Sequence, residues 1–173
     1  MSTHLSTGLV YDPIYREHRP GPGHPERPER CDAAMKGITQ AVPADRLLAL
    51  KPRRATIDEI ELCHTADYIR TARHDIESGY GCLSTGDTDT SNQSFDVALM
   101  AAGGLMVAVD AVMNKTVRNA FCCVRPPGHH ATSDRGMGFC IFNNVAVAAR
   151  YAINAHGVKR VLIADWDIHH GNG

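Results

Sequence analysis

An α/β fold built on a parallel sheet is the class that this 173-residue sequence predicts. Two apolar runs, Ala120 to Val124 and Val161 to Ala164, have the length and character of buried strands. Between them lies a helical stretch that Asn143 or Asn144 can cap, running to about His156 and stopped by Gly157. Strand, helix and strand joined by short links make a parallel βαβ unit. The third observation is Ser94 to Met113, whose apolar residues cover nearly the whole helical circumference. Such a helix is buried on most sides.

The elements follow in order. Thr7-Gly-Leu-Val-Tyr11 reads as a first strand, stopped by Asp12-Pro13. From Arg16 to Pro28 the density of Pro, Gly and charge says irregular loop. Residues 29–41 have helical character. Thr56-Ile-Asp-Glu59 is a capping box that opens a short helix reaching about Cys63. Ala66 to Ser78 is a further helix closed by Gly79, and residues 79–92 form a loop containing Asp87 and Asp89. Gly103-Gly104, in the middle of the long helix, costs helix propensity and therefore predicts close packing against a neighbour.

Length fits one domain, 1–173, with a real core. A net charge of −1 and a pI near 6.8 argue against a nucleic-acid-binding surface. Met1-Ser-Thr-His-Leu has neither a basic nor an apolar leader region, and no uninterrupted apolar stretch approaches a membrane span. A cytoplasmic location without membrane contact is expected. Of the six cysteines none forms a C-x-x-C pair, so buried free thiols are expected rather than a disulfide framework.

The chemistry concentrates at two strand ends. His129-His130 follow the turn Arg125-Pro-Pro-Gly128, and Asp165, Asp167 and His169 follow Val161 to Ala164. In an extended chain residues i, i+2 and i+4 share one face, so two carboxylates and an imidazole are expected side by side. In open α/β sheets, sites form beyond the carboxyl ends of strands. Zinc takes imidazole and carboxylate ligands, which makes Asp167 and His169 candidate ligands and leaves Asp165 to orient a histidine. His129 or His130 would then act as acid and base on an activated water. Taken singly, a His-His pair is an ordinary polar loop and Asp-x-Asp an ordinary turn; their joint placement on one βαβ unit is what points to a site.

Three stretches resemble signatures of the zinc-dependent histone deacetylase family, in its class II-like, acetylpolyamine amidohydrolase-like branch. They are Arg125-Pro-Pro-Gly-His-His-Ala131, Gly136-Met-Gly-Phe-Cys-Ile-Phe-Asn-Asn-Val145 and Asp165-Trp-Asp-Ile-His-His-Gly-Asn-Gly173. Thr7 to Tyr11, His24-Pro-Glu-Arg-Pro-Glu-Arg30 and Ala101-Ala-Gly-Gly104 are similar as well. The resemblance implies a three-layer α/β/α fold of the arginase/deacetylase type, incomplete at the C-terminus, with this chain the N-terminal part of a single domain. It implies Asp167 and His169 as two of three Zn2+ ligands, and His129 and His130 as proton-handling residues with His130 the general base. Asp165 matches the partner of His129 and Asn172 the partner of His130. Gly138 and Phe139 match the wall of the acyl-lysine tunnel, Asp87 a rim carboxylate holding substrate backbone, and Arg30 an internal channel. A K+ bound by the backbone carbonyls of Asp165, Asp167 and His169 is also implied.

The family's third zinc ligand and its carbonyl-polarising tyrosine have no match between Met1 and Gly173. The expected function is deacetylation of acetyl-lysine or acetylated polyamine, weak or absent in this chain alone. Two readings compete with it: a non-catalytic acyl-lysine or partner-binding fragment, and a two-manganese ureohydrolase. The latter needs a carboxylate where this sequence has Gly171.

Overall fold

The structure, a computed structural model, describes residues 6–173; the reading of Met1 to Leu5 lies outside the described residues. Its centre is a parallel sheet in the order β2-β1-β3, with β1 Thr7–Val10, β2 Leu47–Leu50 and β3 Asn119–Cys122. Thr7 of β1 is level with Leu47 on one side and Asn119 on the other. Gly8 is required between these neighbours, since a Cβ there would run into the Leu50 and Ala120 side chains. The parallel α/β class is thus built, and on a strand, β2, that the sequence reading passed over.

The helices are α1 Glu29–Ala41, α2 Ile57–Ile60, α3 Ala66–Glu77, α4 Ser94–Met113 and α5 Asn144–His156. The Thr56–Glu59 capping box forms in both directions, Thr65 caps α3 and Asn143 caps α5. Gly157 closes α5 in the left-handed conformation. Single 3₁₀ turns occupy Pro13–Glu17 and Ala44–Arg46.

Helix α4 connects both halves of the core. One cluster joins its Phe95, Leu99 and Met106 to α2, α3, α5 and the Ile141–Phe142 pair; another joins Val97 and Ala101 to Tyr15, Cys31 and Cys123. Gly103 and Gly104 allow this. A Cβ on Gly103 would meet the Arg53 carbonyl, and one on Gly104 the Tyr15 hydroxyl and Val10. On length and a mean hydropathy of 1.8, α4 is long and apolar enough to cross a membrane, a point the run-length reading missed; most of that window is buried within the domain. All six cysteines are free.

The expected strand Val161 to Ala164 is corrected. These residues have no ladder partner, and Leu162, Trp166 and Ile168 are at least 90 % exposed. The physical reason is an open cleft of about 430 Å³ that separates Ile163–Asp167 from Cys122 and Val124, so neither backbone pairing nor side-chain cover is available.

Candidate active site

The tandem histidines sit on a loop gripped at both ends. At its start Arg125, 3 % exposed, donates from Nε and Nη2 to both Glu26 carboxylate oxygens at 2.5 and 2.6 Å, and from Nη1 to the Tyr15 carbonyl. Farther on, Asn144 Nδ2 donates to the Pro126 carbonyl and Asn143 Nδ2 to the Ala131 carbonyl. A Cβ on Gly128 would strike the Phe142 carbonyl and the Asn144 amide, so glycine lets the turn lie flat on the start of α5. Two helix-opening asparagines and a buried ion pair therefore fix where His129 and His130 point.

Each histidine has its own partner. His129 Nδ1 lies 2.8 Å from Asp165 Oδ2, and His130 Nδ1 lies 2.9 Å from Asn172 Oδ1. Asn172 Nδ2 also donates to the His130 carbonyl, which orients the amide so that its oxygen faces the ring. An Nδ1–H facing each acceptor leaves Nε2 as the ring atom turned to a reactant. The two rings are 4.1 Å apart between centroids, and His130 is 6.0 Å from His169. The Asp165 carboxyl lies below the usual range, first because His129 donates to it and then because the Asp167 N–H does.

The backbone of this segment differs from the extended strand expected. Asp165 Oδ1 accepts from the Asp167 N–H and Asp167 Oδ1 from the His169 N–H, two consecutive Asx turns. Asp167 and His169 still meet, with Nδ1 to Oδ1 at 2.8 Å, but through turns and not through a shared sheet face. The Asp167 carboxyl is lowered, mainly by the His169 N–H and then by its ring. The donors are chemically right for zinc. At bond lengths of about 2.0–2.1 Å a tetrahedral pair stands about 3.3 Å apart, so these two must separate by about half an ångström. Among the described residues no group of three or more His, Cys, Asp or Glu side chains is placed to hold a metal ion. The pair fits half of a zinc site.

Glycine completes the enclosure. Gly171 passes so close to the His129–Asp165 pair that a Cβ would overlap the Asp165 carboxylate and crowd His129 Nδ1, and Gly173 donates its N–H to the His129 carbonyl at 2.9 Å. The ureohydrolase reading needs a carboxylate at 171, where this chain has glycine. Gly138 and Phe139 both have positive φ (56° and 68°), and Gly138 is pressed against the His130 ring. The Phe139 ring meets His24 edge-on at 4.5 Å. Asp87 accepts from the Gly138 N–H at 2.8 Å. Arg30, expected at an internal channel, stands exposed on the first turn of α1; the buried arginine is Arg125.

Sequence reading missed the ion pair because Glu26 lies in a loop that looks solvated. Glu26 is 1 % exposed, and His18 approaches its other side at 3.4 Å. Burial alone would raise its carboxyl, but hydrogen bonds from His18 and Arg125 overcome this and hold it at about 2. His64 was missed as well: it accepts the Asn143 N–H at the cap of α5, and burial lowers it to about 4.

The parallel α/β domain thus carries two oriented histidines next to an Asp–His pair. The histone deacetylase domain matches residues 24–173, and the chain belongs to that family. It is 39% identical over 171 residues to a probable deacetylase of Archaeoglobus fulgidus, covering 98% of this chain and 47% of that protein. It is 40% identical over 153 residues to the human polyamine deacetylase HDAC10, covering 86% of this chain and 23% of that one. The crystal structure of the HDA15 HD domain superposes with a TM-score of 0.88 at 37% identity, over 98% of this chain and 49% of that chain. The chain thus spans about half the length, or less, of the relatives it matches.

Proposed function

We propose that this chain carries the proton-transfer half of a zinc-dependent deacetylase that hydrolyses acetylated lysine or acetylated polyamine. The observation that carries the reading is the pair of separately partnered histidines, His129 with Asp165 and His130 with Asn172. Asp167 and His169 would hold the metal together with a ligand from the rest of the family's domain, and the carbonyls of Asp165, Asp167 and His169 a potassium ion. Zinc, when bound, supplies Lewis-acid polarisation of the scissile carbonyl and of the attacking water. His130, through Nε2, takes a proton from that water. His130 then returns that proton to the departing amine, with His129 held beside it by the Asp165 carboxylate, so acetate and a free amine leave. Asn172 orients His130 without the charge that would raise its basicity as strongly. Gly138 and Phe139 form one wall of the passage for the acyl-bearing chain.

The test compares zinc content and turnover of the 173-residue chain with a form extended through the remainder of the family's domain. The extended form should retain zinc through dialysis and hydrolyse acetyl-lysine, and the short chain should lose the metal. In the extended form His130→Ala should remove most turnover while keeping zinc, and Asp167→Ala should lose both. Zinc lost from His130→Ala but kept by Asp167→Ala would reverse the roles, and inactivity of the zinc-loaded extended form would favour a non-catalytic binding module.

A further inference from the structure

The loop between α3 and α4 lies along the Gly136–Cys140 segment and holds it at three points. Thr85 Oγ1 accepts from the Gly136 N–H at 3.3 Å, Asp87 Oδ1 from the Gly138 N–H at 2.8 Å, and Thr88 Oγ1 donates to the Cys140 carbonyl at 3.1 Å. Gly86 lies so close to the Gly136 carbonyl that no side chain fits between them. The holding loop is itself anchored. Buried Asp75 accepts from both the N–H and the hydroxyl of Ser84 at 2.8 and 2.7 Å, and Leu83 donates its N–H to the Thr88 carbonyl.

What this clasp holds is conformationally expensive. Two consecutive residues, Gly138 and Phe139, have left-handed φ values, which a residue with the bulk of Phe139 rarely adopts. The His130 ring lies against the first of them, Gly138, and the Phe139 ring against His24. The Asp87 carboxylate engages the backbone N–H at the first of those two residues.

We infer that Asp87 is a positioning residue, whose carboxylate oxygen holds the Gly138 N–H and so sets the Gly138–Phe139 corner against His130, instead of a rim carboxylate reserved for the substrate backbone. Its kinetic consequence rests on the deacetylase reading above; its structural consequence does not. An amide oxygen can accept the same N–H, so asparagine preserves the function and alanine removes it.

Two measurements test this. In the 173-residue chain, hydrogen exchange of the Gly138 amide should be similar in the parent and Asp87→Asn, and about tenfold faster or more in Asp87→Ala, the loss of one acceptor. In the extended form, an acetyl-lysine peptide is compared with an acetylated diamine that has no backbone amides. Asp87→Ala should lower kcat on both by a similar factor, and Asp87→Asn should restore both. The inference is overturned if Gly138 exchange is unchanged by Asp87→Ala. It is equally overturned if both variants impair only the peptide, and through KM. Should the parent extended form turn over neither substrate, the deacetylase reading fails, and the exchange measurement alone decides the role of Asp87.

Discussion

Replacing Glu26 by Gln should unlink the loop that begins the histidine segment and leave a pH signature. In the folded protein the Glu26 carboxyl titrates near 2 instead of its ordinary 4.5. At about 1.4 kcal/mol per pKa unit the difference amounts to about 3 kcal/mol of folding stability. Because the folded value is depressed, this stabilisation is complete above about pH 4.5 and is lost as pH falls from there through 2. Urea unfolding followed by circular dichroism at pH 6, 4 and 3 measures it. Glu26→Gln should cost about 3 kcal/mol at pH 6, and the gap to the parent should narrow steadily below pH 4.5. Arg125→Met leaves the same carboxylate buried with only His18 beside it and should cost up to about 3–5 kcal/mol, whereas the double variant should cost clearly less than the sum. A gap that does not vary with pH, or additive costs, would refute the pairing.

Two further outcomes concern the histidines. Asn172→Asp keeps an oxygen acceptor 2.9 Å from His130 Nδ1 and Asn172→Ala removes it, so an active form should keep turnover with the first and lose most of it with the second. Gly171→Ala should push Asp165 away from His129, and the downfield Nδ1 proton expected for that hydrogen bond should disappear while the far-UV spectrum is kept.

Where local chemistry decides structure, the sequence was legible. The Thr56–Glu59 box, the Asn143 cap, the Gly157 stop and the bounds of α4 all follow from residues within a few positions of each other. The pairing of Asp165 with His129 and of Asn172 with His130 came from the family resemblance, since nothing local says that residues 36 and 42 positions apart meet. Strand β2 was passed over because four residues between a 3₁₀ turn and a charged stretch carry little periodicity. Val161 to Ala164 was read as a strand on composition alone, although a strand exists only through its neighbours. Arg125, Glu26 and His18 were illegible for a related reason: charged residues in a proline-rich loop look solvated until the fold closes over them.

The partners of both histidines reside on a segment that buries almost nothing of itself. Stability is not uniform along a chain, and stretches with little buried surface open far more often than the core does. Residues 158–173 should therefore open more readily than the core, in a local event separate from global unfolding. When they do, Asp165, Asn172 and the Gly173 tie leave, and both imidazoles lose their tautomeric restraint. A thermal melt monitored by helix content would pass over such an opening, because α4 and α5 can stay packed while the His129 and His130 pairings are lost.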